Sequence, residues 1–201
     1  MNLQLLYMVK RIFFLFFITM VFFACNENDR RIAEVEKIPM DLQVLRFDQE
    51  LARATPTTLL NLKNKYPYLF PTQYPDSFWL AKLGDTIQIE LLSEMDKAFP
   101  DFENEKQDLE LLFKHIKYYF PRINPPKVIT VNSEVRYNDR IILTDTLMLI
   151  GLDNYLGPDH KFYAGLQKFI STGLDKQFLT SDVAGAFATK ILNYPTERTF
   201  L

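Results

Sequence analysis

The chain has 201 residues with a formal net charge of −2, and 48% of its residues are hydrophobic. This composition excludes a disordered protein, because such chains are too poor in apolar residues to form a core. Mild acidity without a dense Lys/Arg cluster after residue 31 argues against nucleic acid as a partner.

The first 25 residues have the pattern of a bacterial lipoprotein signal. Two cations precede an apolar run, Ile12–Phe23, which is too short for the roughly 20 residues that cross a bilayer. Ala24 then precedes Cys25, the only cysteine of the chain. We therefore predict that residues 1–24 are a cleaved signal peptide and that Cys25 is lipidated, which leaves no cysteine for a disulfide.

Two alternatives stay open for this segment. It could remain uncleaved as a short membrane anchor, with Cys25 incidental. Translation could also start at Met8 instead of Met1, since Met8 begins a more conventional signal. Neither alternative changes the interpretation of the residues that follow.

Residues 25–40 are predicted to be the lipidated cysteine followed by a flexible tether. The stretch Asn26–Lys37 is charged and poor in apolar residues, so it offers little surface to bury. Its early acids, Glu27 and Asp29, have two interpretations: a sorting signal towards the cell surface, or part of an unspecific solvated linker. The folded domain is expected to be residues 41–201.

The first part of that domain reads as a short β-type segment, Asp41–Phe47, followed by helices. Proline at a helix start, aspartate caps and apolar residues spaced by three and four indicate the helices. The aromatic and proline segment Tyr66–Asp76 interrupts them and is predicted to pack as an ordered loop that fills the core, with an aromatic ligand platform as the alternative. Asp76–Leu80 is predicted to open another helix. We expect Asp48 and Asp85 to cap helices, and Glu103–Phe120 to be the clearest helix.

After Pro126 the apolar pattern becomes continuous or alternating, which is typical of strands. The short turns between these segments predict antiparallel hairpins. Helices are expected again over Lys161–Thr172 and Ser181–Leu192. The fold class is therefore α+β, with helices from Thr57 to Phe120 packed on a small, mostly antiparallel sheet. The predicted strands are Lys127–Val131, Arg140–Leu143 and Thr146–Leu152.

Few residues could carry catalysis. The chain has two histidines, and it contains neither H-E-x-x-H nor G-x-S-x-G. We therefore predict no catalytic residue, no metal ligand and no cofactor. One polar set near the last strand could hold a cation or act in acid–base chemistry, or could simply stabilise turns. It consists of Asp145, Asp153, Asp159 and His160.

Several uncommon segments recur in one order that resembles the gliding motility lipoprotein GldB family of Bacteroidetes. They are Arg46–Asp48, Lys65–Pro71, Asp96–Phe102, Leu111–Pro121 and Ile150–Gly157. The resemblance implies an envelope lipoprotein required for gliding, whose partners are the bilayer, through acylated Cys25, and other envelope motility proteins. It supplies no catalytic residues and leaves the inner and outer membrane as alternatives.

The resemblance also implies a longer protein, so the domain is expected to be incomplete at its C-terminus. The order of strands and helices is similar to that of minimal gluzincin zinc peptidases, with the helix Ser181–Leu192 where H-E-x-x-H would lie. This similarity implies a metal-free peptidase-like scaffold. The function expected is a non-enzymatic accessory of the motility machinery. The alternatives are a zinc-peptidase-related hydrolase with site residues beyond Leu201, and a surface glycan-binding lipoprotein that uses the Tyr66–Trp79 aromatics.

Overall fold

The computed structural model describes residues 26–193, with side chains for residues 30–191. The predicted signal peptide, Cys25 and the segment Pro195–Leu201 lie outside the described residues. The described chain forms two compact units, residues 26–40 with 113–123 and residues 41–112 with 124–193.

The first unit contains a helix where a flexible tether was expected. Helix α1, Asn26–Glu36, is hydrogen-bonded to the end of a later helix, and its Val35 is 2% exposed. The Tyr118 hydroxyl donates to Glu34 Oε2 at 2.8 Å, and Lys114 Nζ donates to the backbone oxygen of Glu36 at 3.3 Å. Residues 26–36 are therefore helical, with polar partners on the later helix that this charged segment lacks alone, and its role as a tether stays a prediction.

The second unit contains most of the helices expected from the sequence. Asp85 caps its helix as predicted, because its Oδ1 accepts hydrogen bonds from the backbone N–H groups of Ile87 and Gln88 at 2.8 and 3.2 Å. Five helices lie between the first and second strands of the sheet: α2 (Phe47–Ala52), α3 (Leu59–Lys65), α4 (Asp76–Leu83), α5 (Thr86–Ala98) and α6 (Glu103–Tyr119), which ends in the first unit. The α+β class is confirmed.

A sheet of four strands in the order β1-β2-β4-β3 forms the centre of this unit. Alternate side chains point to opposite faces, so Ile129 and Leu149 share one face, and Val128, Met148 and Ile150 share the other. The strands are β1 (Val44–Leu45), β2 (Lys127–Val131), β3 (Ile141–Leu143) and β4 (Leu147–Gly151).

The expectation of a mostly antiparallel sheet was wrong. β3 and β4 form an antiparallel hairpin, but β1 pairs with β2 and β2 pairs with β4 in parallel. The segment after β2 does not turn back beside it. It carries the chain to the outer edge, where β3 runs antiparallel, and the return strand β4 then fits between β3 and β2.

The aromatic segment between α3 and α4 contributes to the core, as predicted. Tyr66 is fully buried and Phe70 is 5% exposed, and both rings meet Phe47 edge to face, with centroids 5.0 and 5.9 Å apart. Trp79 packs on Phe70 at 4.7 Å. Ile129 of β2 belongs to the same core, so the segment joins the helices to the sheet.

Asp48 differs from its predicted role as a helix cap. It lies inside α2 at 2% exposure, where Arg46 donates to both of its carboxylate oxygens at 3.0 and 2.8 Å. The Thr130 hydroxyl donates to the same carboxylate, and Arg46 also donates to the backbone oxygen of Phe99 at 2.7 Å. A buried carboxylate needs such partners, so Asp48 links α2 to the sheet.

The chain after β4 is less helical than expected over Lys161–Thr172. It contains short 3-10 turns and a four-residue helix before a long final helix, which starts two residues before the predicted Ser181. None of the helices that the structure describes is long and apolar enough to span a membrane. These elements are α7 (Lys168–Ser171), α8 (Leu179–Asn193) and the 3-10 turns Pro67–Leu69, Tyr137–Asp139, Leu152–Asn154, Lys161–Tyr163 and Lys176–Phe178.

Candidate functional site

The carboxyl ends of the parallel strands β2 and β4 lie side by side, with Val131 paired to Gly151. Ligand-binding groups in sheets with parallel strands often lie at this edge. Here the loop of residues 132–136 follows β2, and the turn Leu152–Asn154 follows β4. The polar groups of these two connections form the candidate site.

Asp153 is the central residue of the site. Its side chain is fully buried and accepts hydrogen bonds from the backbone N–H groups of Ser133, at 2.8 Å, and Val135, and from the Ser133 hydroxyl at 3.0 Å. Burial raises the pKa of this carboxyl, and the bonds from Ser133 and Val135 oppose that rise. The carboxylate therefore holds the loop after β2 against the end of β4.

That loop has an unusual backbone. Glu134 and Val135 both have φ of 58°, the left-handed region that L side chains rarely adopt. For a β-branched residue such as Val135 the conformation is strained, and such strain persists only where the surroundings enforce it. Asp153 supplies part of that enforcement, and the Asn132 side chain adds an acceptor for the Glu134 N–H at 2.9 Å.

A second polar group, Asn154, lies beneath the same loop. It is fully buried, and its Nδ2 donates to the Ser133 hydroxyl at 2.7 Å and to the backbone oxygen of Gly151 at 3.1 Å. Its Oδ1 is buried without a protein partner. A Cβ on Gly151 would lie 2.7 Å from Ser133 Oγ and 2.9 Å from Asn154 Nδ2, so only glycine fits there.

The outer side of the loop is tied to the helices. Glu134 accepts from Lys82 of α4 and from Gln88 of α5, the latter at 2.8 Å. Gln88 in turn accepts from Asn132 Nδ2 at 2.7 Å. The loop is thus held from the sheet side by a carboxylate and from the helix side by an amide and an ammonium group.

The final helix contributes a neighbouring polar set. Asp182 of α8 accepts from the Tyr155 hydroxyl at 2.9 Å and from Arg140 Nη2 at 2.8 Å. Arg140 also lies over the Tyr155 ring at 5.9 Å. Burial and the Asp182 charge raise the Tyr155 pKa, so this hydroxyl is a stable donor. Asp182 therefore holds α8 in place. The similarity to zinc peptidases would put the metal-binding helix at this position, and that similarity stays a prediction.

The structure gives the four residues of the predicted polar set different partners. Asp153 holds the loop described above. Asp145 pairs with Lys190 at 2.5 Å, and Asp159 pairs with Lys168 at 2.8 Å. His160 faces Glu94 across 3.4 Å, and Lys97 and His160 both lower the pKa of the Glu94 carboxyl by hydrogen bonding to it. The residues are each committed to turns or ion pairs, and their joint role in binding a ligand stays a prediction.

Among residues 30–191, whose side chains the structure describes, no group of three or more His, Cys, Asp or Glu side chains could hold a metal ion. The predicted lipidation residue, Cys25, lies outside this range. Ser133 donates to a carboxylate, as a nucleophile would, but that carboxylate is fully buried and occupied by backbone donors. The geometry thus favours a structural role for the pair Ser133–Asp153.

Sequence reasoning missed Ser133, Val135 and Asp182. The available signal for Ser133 was the polar pair Asn132-Ser133, which directly follows an apolar strand. No sequence signal indicated the left-handed backbone of Val135, because valine is among the residues least expected to adopt a positive φ. Asp182 was visible near the start of a helix, but its partners lie 27 and 42 residues away.

A family model described as gliding motility protein GldB matches residues 28–201 of the chain. The match includes nearly all of the described residues and the whole candidate site. It confirms the resemblance inferred from the sequence. No curated protein and no solved structure matches the chain significantly.

Proposed function

Because the chain belongs to the gliding motility protein GldB family, we propose that it is a lipid-anchored envelope protein and a non-enzymatic accessory of the motility machinery. Family membership gives the coarse role in gliding. The proposal adds the anchor at Cys25 and action through contacts with other envelope motility proteins. The match over residues 28–201, which begins three residues after Cys25, is the observation that carries it.

The anchor would use more than one acyl chain. A single acyl chain binds a bilayer only marginally, whereas the two or three chains of a bacterial lipoprotein hold stably. Support for this part is the signal-like segment of residues 1–24 and the single cysteine that follows it.

Support for a non-enzymatic role comes from the use of the polar groups at the candidate site. Asp153, Asn154 and Asp182 each make hydrogen bonds that hold the backbone or another side chain in place. Groups with such structural duties are poorly placed to change protonation or partners during a reaction.

The test is single-cell gliding on glass in a strain that lacks the gene. The strain is complemented with the intact gene, with Cys25→Ala, or with Ser133→Ala, at matched protein levels. We expect the intact gene and Ser133→Ala to restore movement and Cys25→Ala to fail. Gliding in the deletion strain would contradict the role itself, and loss of gliding with a folded Ser133→Ala protein would contradict the non-enzymatic part.

Glycan binding is a second candidate, favoured by two exposed aromatic residues on the Tyr66–Trp79 segment. Tyr68 is 46% exposed and Tyr74 is 39% exposed, while Trp79 packs against Phe70. Tyr74→Ala is therefore a cleaner test than a Trp79 substitution, which would disturb the core. Saturable polysaccharide binding that is lost in Tyr74→Ala and kept in Tyr119→Ala would support this candidate.

A further inference from the structure

The helix pair of the first unit has a defined direction. Glu34 of α1 meets Tyr118 of α6, and Glu36 meets Lys114, with distances of 2.8 and 3.3 Å. Two positions further along α1 therefore correspond to four positions back along α6, so the helices run antiparallel. The C-terminal end of α6 therefore lies beside Glu34, and α1 continues from that level towards Asn26, in the direction in which α6 ends.

The chain continues to Cys25 on the side of the pair towards which the C-terminus of α6 points. Asn26 lies eight residues before Glu34, which is about 12 Å along a helix at 1.5 Å per residue. Cys25 precedes Asn26 directly, so α1 itself follows the anchor without a linker. If Cys25 carries acyl chains, the bilayer lies on this side of the helix pair, about 12 Å along α1 from the Glu34–Tyr118 contact.

This side of the pair presents side chains suited to a bilayer surface. Tyr119 is 58% exposed, Phe120 46% and Ile32 53%. Arg30 and Arg122 are also exposed. We call these five residues the anchor-proximal surface. Aromatic rings favour the boundary between headgroups and acyl chains, and guanidinium groups bind phosphate well.

The acid beside Tyr118 is already paired. The Glu34 carboxylate accepts the Tyr118 hydroxyl, and this bond is the main cause of the raised Tyr118 pKa. The Tyr118 ring also packs edge to face on Tyr119 at 5.1 Å, which supports the exposed ring from below. The opposite end of the pair differs in character, since Glu36 and Lys37 are exposed there.

We propose that the anchor-proximal surface contacts phospholipid headgroups, with Tyr119, Phe120 and Ile32 at the interface and the arginines on lipid phosphates. The contact rests on the anchor at Cys25 in the proposed function, and it would fix the orientation of the helix pair on the membrane. Acyl chains alone leave a protein free to tilt, whereas a second interfacial contact restricts it.

The experiment uses the mature lipidated chain in vesicles of phosphatidylethanolamine and phosphatidylglycerol. Acylation removes the thiol of the only native cysteine, so one introduced cysteine can carry a polarity-sensitive fluorophore. Tyr119→Cys and Phe120→Cys place it on the anchor-proximal surface. Glu36→Cys is the matched control, because it is exposed in the same unit, ten residues along α1 from Asn26.

We expect blue-shifted emission and several-fold stronger quenching by nitroxide lipids at positions 119 and 120 than at position 36. Quenching by aqueous iodide should show the reverse order. Equal values at the three positions would overturn the proposal, as would free access of iodide to 119 and 120. The test is separate from gliding, and mass spectrometry of Cys25 shows beforehand whether the anchor itself exists.

Discussion

The backbone N–H of Val135 donates a hydrogen bond to the buried carboxylate of Asp153, although Val135 has a φ of 58°. The two residues come from the loops after neighbouring parallel strands. A hydrogen bond to a charged group contributes about 1.5–3 kcal/mol, which is enough to hold a backbone conformation that costs about 1–2 kcal/mol. The strained loop is therefore maintained by the turn after β4.

Val135→Gly should make the protein more stable. Glycine adopts a positive φ without steric cost, so the substitution relieves the left-handed strain and keeps the N–H donor. The greater entropy of glycine in the unfolded chain offsets part of the gain, which leaves about 0.5–1 kcal/mol. Urea denaturation of the purified protein measures the change.

Val131→Gly is the control for that substitution. Val131 lies in β2 and does not have a positive φ, so Val131→Gly relieves no strain. The substitution only removes side-chain packing and increases the entropy of the unfolded chain. We expect Val131→Gly to destabilise the protein. If both substitutions destabilise equally, the backbone of Val135 is not strained.

The stability that Asp153 contributes should depend on pH in a specific direction. Its pKa is raised by burial, so the native state holds the proton more tightly than the unfolded state. Protonation therefore favours the native state below the unfolded pKa of about 3.9, and this contribution is lost as pH rises through the raised native value. The free energy of unfolding of wild type minus that of Asp153→Asn should fall over this range.

Urea titrations at a series of pH values, starting near pH 4, measure that difference. Subtracting the free energy of unfolding of Asp153→Asn from that of wild type removes the contributions of the other carboxylates to the pH dependence. Asp159→Asn controls for the loss of one charge, since the Asp159 side chain is 86% exposed. A difference between wild type and Asp153→Asn that rises with pH would contradict the raised pKa.

The sequence predicted the helices better than the strand pairing. Asp85 caps α5 because a cap is a local signal, readable within four residues. The parallel pairing of β2 with β4 depends on where the loop of residues 132–136 carries the chain, and that path is set by Asp153, 18 residues beyond Val135. Local turn residues therefore predicted a hairpin that the long-range contact prevents.

The candidate site was predictable only in part. Asp153 belonged to the predicted polar set because it follows an apolar strand, but its three companions in that set have other partners. The helix α1 was missed because its apolar content is low, and its hydrogen bonds to the end of α6 join residues 78 and 84 positions apart. Both errors arise because burial of a residue depends on contacts distant in sequence.

Gly151→Ala should destabilise the protein by about 2 kcal/mol, because its Cβ would be 2.7 Å from Ser133 Oγ and the core must shift. Thermal unfolding measures the loss. Gly185→Ala is the matched control: no atom lies within 4 Å of its added Cβ, and alanine in helix α8 should stabilise by up to about 1 kcal/mol. Ser133→Ala in the Gly151→Ala background should restore part of the loss, whereas no rescue would contradict a clash with the hydroxyl.

The contact between Asp182 and Tyr155 should show coupling in a double-mutant cycle. Tyr155→Phe removes one donor and should cost about 1 kcal/mol, whereas Asp182→Asn also weakens the pair with Arg140 and should cost about 2 kcal/mol. Because the two side chains share a hydrogen bond, the double variant should lose less than the sum of the single losses, by about 1 kcal/mol. Urea denaturation of the four proteins gives the coupling energy.

Tyr163→Phe combined with Asp182→Asn is the control, since the Tyr163 hydroxyl donates to the backbone of Asp153 instead. The stability lost in Tyr163→Phe should add to that lost in Asp182→Asn. Additive losses for Tyr155 and Asp182 would show that Asp182 holds α8 through Arg140 alone.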